Sequence, residues 1–95
     1  MTRIALAFVL ALATAVPAGA ACYADYKAKR DNPLRLHYGV VELPDTACGS
    51  RGAAEEALRP RLARSGWELL NVVGIFGPEG LDERRESAGE FFLRF

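Results

Sequence analysis

The chain divides by its hydrophobic pattern into a uniformly apolar start and a body whose apolar residues recur with short periods. Ile4 to Val16 form a 13-residue apolar run, preceded by Met1 and Arg3 and followed by Pro17-Ala18-Gly19-Ala20. A positive start, an apolar centre and a small-residue ending are the three parts of a cleavable export signal. Residues 1–20 are therefore predicted to be removed, leaving 21–95 as one small domain. Two other readings of the same stretch stay open. Uncleaved, Ile4 to Cys22 is just long enough to span a bilayer, although Pro17 interrupts it. Cys22 also follows the small residues Gly19-Ala20-Ala21, as a lipid-modified cysteine would. Gly19, however, stands where a Leu-like residue is usual, which favours a cut after Ala20.

Beyond the signal, Cys22, Tyr26 and Lys29/Arg30 fall at helical spacing, so Tyr23 to Arg30 predicts one or two helical turns stopped by Asn32-Pro33. From Leu34 to Leu43, the residues Leu34, Leu36, Tyr38 and Val40 alternate with Arg35, His37 and Gly39. That is the period-2 pattern of a half-buried strand, and it puts His37 on the polar face. Ser50 is placed to cap a helix from about Arg51 to Ser65, whose apolar face is Ala54, Ala57, Leu58, Leu62 and Ser65 with Arg61 at its edge. Pro60 inside that pattern predicts a kink or a split, and Gly66 the end. Trp67 to Phe76 is apolar on most positions of both faces and reads as a central strand. Gly77-Pro78-Glu79-Gly80 is a turn, and the charged stretch Leu81 to Gly89 a solvated excursion with room for one helical turn at Leu81 to Glu86. Glu90 to Phe95 alternates as a last strand.

The predicted order is thus α-β-α-β-β. It implies an α/β (α+β) two-layer sandwich in which a small, mostly antiparallel sheet of about three strands carries one main helix across one face. The last two strands would form a long-looped antiparallel hairpin. A sheet this small leaves two open edges, which calls for edge pairing in a homodimer, pairing with a protein partner, or cover from the N-terminal segment.

Charge narrows the partners. The full sequence has 12 basic and 12 acidic residues; Arg3 leaves with the signal, so 11 remain against 12, a net charge of −1. Such a balance offers no basic surplus for nucleic acid, and it confines membrane contact to a lipidated Cys22 or an uncleaved signal. Both cysteines, Cys22 and Cys48, lie in the mature part, and an even count in an exported chain favours a disulfide bracing an undersized core. Lipidation of Cys22 would instead leave Cys48 free.

Tyr38-Gly39-Val40-Val41-Glu42, then a helix, then Gly66-Trp67-Glu68-Leu69-Leu70-Asn71-Val72-Val73 and a closing Phe91-Phe92-Leu93-Arg94-Phe95 resemble the small bacterial domains of unknown function numbered 4177. The likeness covers roughly residues 34–95 and depends mainly on Gly66-Trp67-Glu68-Leu69, where glycine ends a helix and tryptophan pins it to the sheet. The export signal, Cys22, Cys48, Pro60 and the Leu81–Gly89 excursion depart from that pattern. The resemblance implies a fold and no activity.

Candidate chemistry is sparse. His37 is the only histidine, so neither a metal site nor a cofactor is expected, and no serine sits in a nucleophile elbow. Glu68 and Glu90 are placed to pair with Arg35 or Arg94 across the sheet. Gly49-Ser50-Arg51-Gly52 at a helix start is the sharpest local ligand candidate, since free backbone N–H groups and Arg51 could hold an anion. The leading expectation is a non-enzymatic periplasmic or secreted module, with no catalytic residues, that binds a protein partner or itself through a sheet edge. The alternative is a small-ligand or anion binder at Gly49–Gly52.

Overall fold

The computed structural model describes residues 22–95; the export signal read from residues 1–20 lies outside the described residues. Strands β1 (Cys22–Arg30) and β2 (Arg35–Leu43) are followed by helix α1 (Arg51–Ala63), strand β3 (Glu68–Phe76) and a short helix α2 (Asp82–Ala88). The sheet order is β2-β1-β3, with both outer strands antiparallel to β1. This is a small α+β fold with a three-stranded antiparallel sheet, as the pattern implied, but its elements come in a different order.

The first correction concerns β1. The segment expected to be helical is the central strand. Cys22, Ala24, Tyr26 and Ala28 are buried on one face, while Tyr23, Lys27 and Lys29 alternate on the other. Two of the buried four are alanines, whose weak apolar signal let the accidental helical spacing of Cys22 and Tyr26 dominate. β1 pairs with β2 along its whole length, from Cys22 opposite Leu43 to Arg30 opposite Arg35. The hairpin turns through Asn32, whose φ of 61° is a conformation asparagine tolerates better than most residues. The N-terminal segment is thus the middle of the sheet and does not cover an edge.

The second correction concerns Glu90 to Phe95, which forms no strand and no hairpin with β3. A 3₁₀ turn at Gly89–Phe91 follows α2, and Leu93 takes a φ of 58° that bends the chain out of extension. What survives of pairing is one parallel bridge, Val40 to Phe92, in which the Leu93 N–H donates to the Val40 carbonyl at 2.8 Å. The tail therefore lies along β2. The excursion expected at Leu81 to Gly89 is mostly helix, since α2 packs on β2 with Ala88 buried.

α1 forms where capping and periodicity placed it. Ser50 Oγ accepts the Ala53 N–H at 3.0 Å, and Ala54, Leu58 and Leu62 are buried against the sheet. Pro60 lies inside the helix without splitting it. The bond it forgoes would go to the Glu56 carbonyl, and both residues are exposed, so solvent can serve that oxygen. Gly66, at φ 83°, ends the turn, and the Trp67 N–H reaches back to the Leu62 carbonyl at 3.1 Å, which brings Trp67 down onto the core. That core joins Ala54, Leu58, Leu62 and Trp67 to Ala24, Tyr26, Ala28, Val41, Leu43, Leu69 and Val72. A disulfide links Cys22 to Cys48 with Cα atoms 6.1 Å apart, tying the start of the central strand to the loop that enters α1.

Candidate binding face

β2 is read in the opposite sense from its sequence pattern, and this moves His37. Facing α1 are His37, Gly39, Val41 and Leu43; Leu36, Tyr38 and Val40 face away. His37 is 8% exposed and its Nε2 lies 2.8 Å from Tyr26 Oη. Its ring stacks on Phe91 at 3.7 Å and meets Trp67 edge-on at 4.2 Å, with Phe95 at 6.0 Å. Burial, with Arg30 and Arg94 nearby, lowers its pKa to about 4, so the ring is neutral at pH 7. The polar-face expectation for His37 is therefore wrong. The tail packs Phe91 and Phe95 against the core on the α1 side, over His37 and beside Trp67, which the alternation around His37 did not reveal. Burial also pushes the Tyr26 phenol pKa up, so Tyr26 and His37 form a neutral buried pair. His37 also borders an open groove with Lys27, Leu36, Tyr38 and Leu70.

The Gly49–Gly52 segment is occupied by its own structure. Ser50 caps α1, and Arg51 donates to the Val73 carbonyl on β3 at 3.3 Å. The side chain that an anion would need is thus drawn to the sheet. Glu90 pairs with Arg94 at 3.6 Å, within the tail and not across the sheet. No group of three or more His, Cys, Asp or Glu among the described residues could hold a metal ion.

The sheet face away from α1 is divided in two. At the end near Tyr23, α2 covers it through Arg84, whose Nε lies 3.1 Å from Asp25 Oδ2 and whose guanidinium sits 3.9 Å above the Phe76 ring. Tyr38 Oη donates to the same Asp25 oxygen at 2.8 Å, and burial together with that bond pushes the Tyr38 pKa up to about 12. Asp25 is 5% exposed, so this cluster fastens α2 to the sheet.

The other end of that face is bare. Leu36 is 66% exposed and Leu70 47%, with Leu34 at 63% in the adjoining turn. Lys27, Leu36, Tyr38 and Leu70 line an open groove of about 340 Å³ that crosses all three strands. Leu70 is there because β3 is irregular: the register against β1 slips between Lys27 and Ala28, and again between Asp25 and Tyr26. Leu70 and Val73 are the extra residues at these two slips, and both are exposed. Sequence reading missed this patch. Plain alternation puts Val73 in phase with Leu69 and Ile75, and Leu70 in phase with Val72, so the sequence pattern carried no sign of the slips.

Both outer strands have part of their backbone satisfied. The tail bonds Val40 on β2, and on β3 the Val72 N–H donates to Glu55 Oε2 at 3.0 Å beside the Arg51–Val73 contact. Among the described residues no helix is long and apolar enough to cross a membrane. Comparison with family models, curated proteins and solved structures returns no match.

Proposed function

We propose that this protein is an exported, disulfide-braced, non-enzymatic module that binds a protein partner through the bare end of its sheet. The carrying observation is the run of Leu34, Leu36 and Leu70, each 47% exposed or more and more exposed than Val73 at 41% or Leu93 at 42%. Clustered exposure of this kind marks interaction surfaces, whereas scattered exposure does not. The expected contact thereby moves from sheet edge to sheet face, because tail and α1 side chains already bond the middle of both edges. The Cys22–Cys48 bond is compatible with an oxidising compartment and supports a periplasmic or secreted protein. It also engages the sulfur that a lipid anchor on Cys22 would require. The resemblance to the family numbered 4177 adds no activity.

Photo-crosslinking tests this reading. A crosslinker at Leu36 or at Leu70 should capture the same protein, and one at the exposed Arg64 should not. Capture at all three positions alike, or at none, would sink it. Intact mass with and without reductant checks the signal cut and the disulfide together.

A further inference from the structure

We infer that the occupant of this face is an acidic amphipathic helix of another protein, lying across Leu36 and Leu70 with a carboxylate on Lys27. The inference rests on the proposed protein-binding role and names the partner's chemistry. Three adjacent strands span about 10 Å between the outer two, close to the width of one helix with its side chains. The same sheet already takes α1 on one face and α2 on part of the other, and a further helix would complete the second layer.

Charge selects the kind of helix. Lys27 sits on the central strand in the groove floor, exposed, with no ion pair among the described residues. Its neighbour Lys29 is matched by Asp31 at 3.5 Å, and Asp25 is engaged by Arg84 and Tyr38. A purely apolar lid would strand the Lys27 ammonium away from water, which is costly; a carboxylate in the lid removes that cost. The same residue argues against a second copy of this chain. A twofold contact centred on the groove would bring the central strands together and set Lys27 against its own mate.

The test uses the oxidised mature protein and two synthetic helices of about 14 residues, each with leucine at i, i+3, i+4 and i+7. One is flanked by glutamate and the other by lysine. In amide NMR titrations the glutamate helix should shift Lys27, Leu36 and Leu70, and the lysine helix should bind about tenfold more weakly. Lys27→Glu should reverse that preference with an unchanged melting temperature, and Leu36→Ser should remove binding of both. Equal affinity for the two helices overturns the acidic partner while leaving crosslinking to judge the broader role. Self-association in light scattering that Leu36→Ser abolishes overturns it in favour of a second copy. Preferential capture by phosphatidylglycerol vesicles overturns it in favour of a membrane surface, and no shift with either helix overturns it outright.

Discussion

Tyr26 lies over its cross-strand partner Gly39 so closely that a Cβ on the glycine would sit 2.5 Å from the phenol oxygen and 2.6 Å from Cζ. The ring is fully buried and bonded to His37, so it cannot swing aside. Gly39→Ala should therefore destabilise the fold by about 2–3 kcal/mol through overpacking. Urea unfolding of the oxidised protein measures this, and a loss below a few tenths would contradict the packing.

His37 makes stability depend on pH. Its pKa is about 4 in the fold against 6.5 as a free side chain, with Arg30 on β1 and Arg94 on the tail as the cations facing it. Between those values the unfolded chain binds more protons. The contribution of the neutral ring is thus complete above pH 6.5 and is lost as pH falls through 4. Relative to His37→Gln, the wild-type protein should lose up to about 3 kcal/mol between pH 7 and pH 3.5. A wild-type-minus-variant difference that stays flat with pH would remove the assignment.

The disulfide closes a loop with a sequence separation of 26. Chain entropy makes such a link worth about 3.5 kcal/mol. Cys22→Ala with Cys48→Ala should shift the denaturation midpoint accordingly, by slightly more if the small void at Cys22 counts. Equal stability of the oxidised protein and the double variant would show that the core needs no brace.

Leu93 holds a left-handed backbone conformation at φ 58° while 42% of its surface is exposed. Leucine is strained there by about 1–2 kcal/mol, and glycine would give back part of the gain as unfolded-state entropy. Leu93→Gly should raise stability by about 0.5–1 kcal/mol, read as a higher melting temperature. A lower one would mean that the leucine side chain contributes more than its exposure suggests.

How much the sequence disclosed varies by element. α1 was legible almost residue by residue, because Ser50, Leu58, Leu62 and Gly66 are strong local signals that the tertiary structure did not override. β3 was legible as a strand, but its two slips were not, since bulges are set by pairing partners. β2 was found and then assigned the wrong inner face: Leu36 looks more apolar than His37, yet it is His37 that the tail aromatics enclose. β1 and the tail were exchanged in character. Alanines concealed a strand in the first, and Phe91, Leu93 and Phe95 imitated one in the second. The bare face followed from these same points, because it depends on Leu36 pointing outward and on the slip at Leu70. The cysteine pair, by contrast, needed only parity and the reading of residues 1–20 as an export signal.

The place of β1 between β2 and β3 also sets a kinetic problem that the Cys22–Cys48 bond eases. The β1–β2 hairpin closes locally, but Tyr23 must find Phe76 across most of the domain. With Cys22 already joined to Cys48, the chain path between those partners is roughly halved, which lowers the entropy cost of closure by about 0.5 kcal/mol. The oxidised chain should accordingly complete its sheet about twice as fast as the reduced one, so the bond acts during assembly as well as after it.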